Sequence, residues 1–161
     1  MIFVTTGTQI PFDRLIRAID EVYPYFGGIE LIVQVAESGY KVENFTTREF
    51  IPPKEFDDYF NREELIISHA GMGTIISAFV KNKPILVMPR LAKYGEHRND
   101  HQLATATRFD ELGYINVAYT EEELKEKLKS LQRTPLKPLF NIDDYASKEL
   151  ITSLQSFINL K

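Results

Sequence analysis

Apolar positions along the chain switch between two spacings, and the switching predicts the fold. Residues 1–5 (MIFVT) are an apolar run of strand length, broken by Thr6-Gly7-Thr8. From Pro11 to Tyr25 the spacing lengthens: Phe12, Leu15, Ile16, Ile19 and Val22 share one helical face, and Gly27-Gly28 ends the helix. Residues 29–35 (IELIVQV) predict a second strand, and Arg48 to Ile51 a third, shorter one closed by Pro52-Pro53. A short helix over 54–61 and a fourth strand over 65–68 follow. The next helix, about Thr74 to Lys81, is apolar on nearly every side (Ile75, Ile76, Ala78, Phe79, Val80), the mark of a buried helix. PILVMP (84–89) shows no polar alternation, as expected of a parallel strand covered on both faces.

A helix from Asp100 to Leu112 stops at Gly113, a suitable residue for a helix end, and the strand Tyr114 to Ala118 succeeds it. Thr120 and Glu123 form a capping box for a helix carrying Leu124, Leu128 and Leu131. Beyond Pro135 and Pro138, Asp143 or Asp144 begins a last helix, about 143–159, with Ala146, Leu150, Leu154, Phe157 and Ile158 on one stripe. That stripe is expected to pack on the sheet, with a partner as the other destination. Strands alternate with helices throughout, and no repeat or linker interrupts them. The prediction is α/β: a single Rossmann-like domain with a parallel sheet over residues 1–161.

Composition narrows the function classes. The 161 residues suit one domain with a sizeable core, and 43% hydrophobic with 26% charged residues is ordinary for a globular chain. A net charge of −4 with no long basic run argues against nucleic acid as a partner. The absence of cysteine excludes disulfides and thiolate metal sites. No stretch approaches the roughly 18 consecutive apolar residues of a membrane span, and MIFVTTGT reads as a strand rather than a basic leader. Any membrane association is then expected to come through a partner.

In an open α/β sheet, ligands bind beyond the carboxyl ends of the strands. Three irregular polar segments fall at such ends: Thr6-Gly7-Thr8-Gln9, His69 to Thr74 (HAGMGT) and Arg90 to Asn99. In HAGMGT, Gly71 and Gly73 would allow unusual φ and close backbone approach, and the following helix would offer free N–H groups to a phosphate or diphosphate. Thr74 would cap that helix or donate to a phosphate oxygen, and His69 would donate too. The same turn would serve equally as a packing junction. It matches neither GxxxxGK[ST] nor GxGxxG, since Ile76 stands at the third glycine position. Gly7-Thr8 would add N–H donors, or serve only to turn the chain into the first helix.

The segment 89–102 (PRLAKYGEHRNDHQ) is long and polar for a simple connection. Arg90, Glu96, His97, Asp100, His101 and Gln102 crowd within it. Glu96 or Asp100 would take sugar or ribose hydroxyls, and Gln102, in the first turn of the next helix, would reach a polar ligand. The alternative is a solvated loop with Asn99 or Asp100 capping the helix. His97 and His101 stand four apart, but such a cap puts His97 outside the helix, and neither HExxH nor a third ligand accompanies them. No metal and no cofactor are expected.

FVTTGTQIPFDRLI, HAGMGTIISAFVKNKPILVMPR and YGEHRNDHQ, in this order over residues 2–112, resemble one family. It comprises small single-domain glycosyltransferase family 28 proteins related to the C-terminal half of the peptidoglycan lipid-II glycosyltransferase. Members include the catalytic subunit of the eukaryotic dolichol-linked N-acetylglucosamine transferase and, more similar still, exopolysaccharide and capsule proteins of the PssE type. The resemblance implies a GT-B C-terminal domain binding a UDP-sugar, with His69, Gly71, Gly73 and Thr74 at the donor diphosphate and Gly7-Thr8 nearby. Glu96, His97, Asp100 and Gln102 would face the donor sugar and ribose. The sequence departs at Ala78, where larger relatives carry a ribose-gripping glutamate.

One domain is half of a GT-B enzyme. The resemblance therefore implies a PssD-type partner that supplies the acceptor half and the membrane anchor at the cytoplasmic membrane face. The acceptor would be a polyprenyl-diphosphate-linked saccharide. The base that deprotonates the acceptor hydroxyl is expected from the partner, with His97 or Glu96 as the fallback in this chain. Two other readings stand beside this one: a non-catalytic subunit that stabilises or activates a partner transferase, and an unrelated Rossmann-like nucleotide-binding enzyme.

Overall fold

The computed structural model describes residues 1–142 and 147–159. Its strands are β1 (Ile2–Thr5), β2 (Leu31–Gln34), β3 (Leu65–His69), β4 (Ile85–Met88) and β5 (Asn116–Val117). Its helices are α1 (Asp13–Val22), α2 (Pro53–Arg62), α3 (Met72–Val80), α4 (His101–Glu111), α5 (Glu121–Ser130) and α6 (Lys148–Asn159). All strand pairs are parallel, in the order β2-β1-β3-β4-β5, so the fold is the expected single α/β domain.

Successive strand residues feed two cores. Ile2, Val4, Val33, Ile67 and Leu86 meet α1 and α5, while Phe3, Ile66, Ile85 and Val87 meet Phe60 of α2, Ile75 and Phe79 of α3 and Ala106 of α4. With helices on both faces, β4 has no exposed position, and its four residues are all buried. The chain passes from β1 through α1 to β2, then crosses back past β1 to reach β3. The loops after β1 and β3 therefore leave towards opposite faces and open a crevice between them.

Local signals held where the partner was local. Thr120 Oγ1 accepts from Glu123 N–H at 3.1 Å, and the Glu123 carboxylate accepts from Tyr119 N–H at 2.8 Å. Gly113 follows the end of α4 with φ +69.

The expected strand at 48–51 is not formed. Arg48 alone bridges Gln34, with backbone hydrogen bonds of 2.9 Å to Val33 and Val35, and the chain soon enters Pro52 and Pro53, which have no N–H for a ladder. The expected strand 114–118 shortens to β5. Helix α3 starts at Met72, capped by Gly71, so Thr74 lies inside the first turn rather than at the cap. Nor is α3 buried all round. Ile75, Ala78 and Phe79 pack inward, but Met72, Ile76 and Val80 are 44%, 43% and 48% exposed, because no other helix among the described residues lies over the outer side of this layer.

The largest correction concerns the last helix. Its expected start at Asp143 or Asp144, and Ala146 of its stripe, lie outside the described residues. Helix α6 does not pack on the sheet: Leu150, Leu154, Phe157 and Ile158 are between 52% and 68% exposed. The sheet has no face left for it, since α1 and α5 occupy one side and α2, α3 and α4 the other. Among the described residues, no helix is long and apolar enough to cross a membrane.

Candidate functional site

The crevice between β1 and β3 brings together residues far apart in sequence. His69 ends β3 and projects its imidazole towards Gly7, which follows β1. A Cβ at Gly7 would stand 3.1 Å from the His69 ring, and one at Gly71 would collide with it. Gly71 has φ −88, an ordinary value, so its glycine is required by the ring beside it and not by backbone conformation. Gly7 is the residue with the unusual backbone, at φ +80. Its N–H is already donated to Thr5 Oγ1 at 3.1 Å, which leaves Thr8 as the possible backbone donor of that pair.

Gly73 differs again. Nothing lies within 4 Å of the place its Cβ would take, so the first turn of α3 is open. Met72, Gly73 and Thr74 there have no intrahelical acceptor for their N–H groups, which present partial positive charge to the crevice. Burial first, then the charge of Arg90, pushes the His69 pKa down to about 4. The ring is neutral at pH 7, so it offers the crevice a dipole and not a positive charge.

Arg90 is 4% exposed and donates to the Thr6 carbonyl at 2.8 Å and to the Ile10 carbonyl. Gln102 Oε1 accepts from Arg90 N–H at 3.2 Å. These two therefore shape the wall that the sequence assigned to them as ligand contacts. Burial pulls the Arg90 pKa down to about 10, which still leaves it charged at pH 7.

Glu96 departs most from expectation. Its carboxylate accepts from Arg14 Nε at 2.7 Å, Arg14 Nη2 at 2.9 Å and Leu91 N–H at 2.9 Å. Both oxygens are engaged, so Glu96 is not a free base, and a ribose hydroxyl would have to share an oxygen already held by Arg14 or Leu91. Asp100 accepts from Ala92 N–H at 2.8 Å and does not cap α4 with its side chain. His101 Nδ1 lies 2.6 Å from Asn99 Oδ1, and the His97 and His101 rings meet edge to face at 4.4 Å. No group of three or more His, Cys, Asp or Glu among the described residues is arranged to hold a metal.

Two clefts flank Gly7-Thr8. One, of about 290 Å³, lies among Thr6–Ile10, His69, Arg90, His97 and Gln102. The other, of about 330 Å³, has an apolar wall of Phe50, Ile51 and Phe56 and reaches Gln34 and Thr74. Sequence reasoning missed this second wall, whose only signal was an apolar pair before Pro52-Pro53. It also missed Arg14, which sits on α1 like any surface arginine. Four of the six buried side-chain polar atoms without partners among the described residues lie here, His69 Nδ1, Arg90 Nε and His97 Nδ1 at the first cleft and Gln34 Oε1 at the second; the other two are the Glu63 carboxylate oxygens. Such orphans ask for a polar ligand or ordered water. Ala78 is fully buried and lines neither cleft; Ser77, on the Thr74 side of α3, is half-buried.

The sequence and the fold have relatives. Residues 1–154 match the glycosyltransferase family 28 C-terminal domain. The UDP-N-acetylglucosamine transferase subunit ALG13 of Saccharomyces cerevisiae is 28% identical over 183 residues, covering 85% of this chain and 87% of that protein. Its Homo sapiens counterpart is 28% identical across 71% of this chain, but only 10% of the human protein is matched. The solution structure of ALG13 superposes with a TM-score of 0.59 at 22% identity, covering 95% of this chain and 93% of that one. The crystal structure of Acinetobacter baumannii MurG does so at 0.51 and 14% identity, over 96% of this chain and 49% of MurG. These structures share the fold, that of GT-B glycosyltransferases, and the chain belongs to the glycosyltransferase family 28 C-terminal domain family.

Proposed function

We propose that this chain is the donor-binding subunit of a two-component glycosyltransferase. It would move a hexosyl group from a UDP-sugar to a polyprenyl-diphosphate-linked acceptor in exopolysaccharide or capsule synthesis. The observation that carries the reading is the first turn of α3: its N–H groups stand open beside neutral His69 and buried Arg90, in a crevice lined with unpartnered polar atoms. Diphosphate there would be met by helix N–H groups, by Thr74 and Thr8, and by the Arg90 charge. The phosphates are the leaving group, so donors fixed before reaction favour the transition state, the work a metal does elsewhere. The apolar wall of Phe50, Ile51 and Phe56 suits the uracil ring.

The acceptor half is assigned to a PssD-type, membrane-anchored partner that holds this chain at the cytoplasmic membrane face. The unburied apolar stripe of α6 supports a partner, and the yeast and human relatives are themselves named as subunits. With Glu96 engaged by Arg14, the acceptor base comes from the partner, or from His97 in this chain.

The test is a transfer assay with the purified chain–partner complex, beginning with UDP-N-acetylglucosamine, alongside UDP calorimetry. We expect UDP binding that His69→Ala and Gly73→Val abolish. The engagement of Glu96 and the alanine at position 78 favour a second reading, a non-catalytic subunit that stabilises a partner transferase. Absence of UDP binding with and without the partner would establish that one instead.

A further inference from the structure

We infer that Arg14 and Glu96 are positioning residues, whose ion pair sets the 89–97 loop, with His97 at its end, against the diphosphate side of the crevice. The inference rests on the donor-site reading of that crevice. The pair is enclosed, with side chains 8% and 10% exposed. Its planar fork fixes orientation as well as distance, which a lysine in place of Arg14 would not do. Burial works against the Arg14 charge, yet the hydrogen bond and charge of Glu96, and after them those of Glu121, whose carboxylate accepts from Arg14 Nη1 at 3.4 Å, outweigh it and raise its pKa.

The loop is folded around this guanidinium. Arg14 Nη2 also donates to the Pro89 carbonyl at 2.9 Å, at the point where the chain leaves β4. Gly95, at φ +70, turns the chain back so that Glu96 meets both Arg14 and Leu91 N–H. The Arg14 guanidinium lies 5.0 Å from the Tyr94 ring and 5.3 Å from Phe12, and Arg90 lies 5.2 Å from Phe12. Phe12 thus carries both cations. One fixes the Thr6–Ile10 wall and the other the loop that ends in His97.

Buried pairs contribute little net stability once desolvation is counted, but removing one partner leaves a charge stranded. Their value here is geometric. The two clefts share Gly7 and Thr8, but the apolar wall of Phe50, Ile51 and Phe56 shares no residue with the 89–97 loop, so disturbing the pair should weaken phosphate recognition and leave the uracil wall as it is.

The experiment uses the full chain, with Glu96→Gln, Arg14→Lys and the double variant. Backbone amide exchange at Leu91 and Ala92 should speed by about tenfold in each single variant, while amides of β3 and β4 keep their rates. In NMR titrations UDP should bind about tenfold more weakly to each single variant and uridine as before, and the double variant should be no worse than the single ones. Unchanged exchange at Leu91 and Ala92 overturns the proposal. So does loss of both uridine and UDP affinity in Glu96→Gln with Arg14→Lys unaffected, the pattern of a ribose ligand. If the wild-type chain binds no UDP, the donor-site reading fails, while the exchange rates still judge the coupling of the pair to the loop.

Discussion

Helix α1 buries Leu15, Ile16, Ile19 and Val22 to between 0% and 2% exposure, whereas α6, with an equally regular stripe, leaves Leu150, Leu154, Phe157 and Ile158 more than half exposed. The polar faces differ as well. Asp13 of α1 accepts from Ser38 Oγ at 2.7 Å, Asp20 gathers the N–H groups of Glu43 and Asn44, and Arg14 holds Glu96. For α6 among the described residues, the side-chain bonds are local ones at its first turn, Leu150 N–H donating to Ser147 Oγ at 3.2 Å and Glu149 bonding to Ser147. A helical stripe states that a face is apolar; the order of elements on the sheet decides whether any partner is within reach. Helix α1 connects two adjacent strands and must cross the sheet. Helix α6 follows the last strand and its layer is already full.

That contrast can be broken by stability measurements. Ile19→Ala should cost about 3 kcal/mol in urea denaturation, and a loss below about 1 kcal/mol would mean α1 is not the core element described. Asp20→Asn should cost about 1–3 kcal/mol, because the backbone donors it serves lose a charged acceptor. Burial pushes the Asp20 carboxyl up, but the Glu43 and Asn44 N–H groups and the Tyr40 hydroxyl overcome it and hold the pKa below the usual 3.8. A depressed carboxyl stabilises the fold above its unfolded pKa and loses that contribution as pH falls through the folded value. Thermal melts from pH 6 to 2 should therefore fall less steeply in Asp20→Asn than in wild type. The smallest effect belongs to α6: Phe157→Ser should change the stability of the isolated chain by less than about 0.5 kcal/mol. A loss above about 1 kcal/mol would show that the stripe has a partner within the chain. If partner docking is its role, the same substitution weakens co-purification with the proposed partner.

Much of the fold was legible because its signals were local. The Thr120 cap, the Gly113 stop and the uninterrupted apolar run of β4 all depend on neighbours in sequence. The missing strand at 48–51 and the undocked α6 depend on what else the sheet accommodates, which spacing does not encode. The site divides in the same way. His69, Gly7, Gly73 and Thr74 could be placed by the rule that ligands meet strand ends. The carboxylate of Glu96 reads as free in the sequence because Arg14, which holds it, stands 82 positions away.

The fit of His69 beside Gly71 has a consequence for how this site can change over time. Any side chain at position 71 strikes the imidazole, so most single substitutions there are closed while the histidine remains. Replacement of His69 by a smaller residue would open position 71, but on the proposed function it loses a donor at the diphosphate before anything is gained. Drift at the two positions is thus ordered, with 69 first and a less active intermediate between. Sequences that abandon the pair should then lose both together, whereas Gly73 meets no neighbour within the chain, and only the room a bound ligand needs would keep that position small.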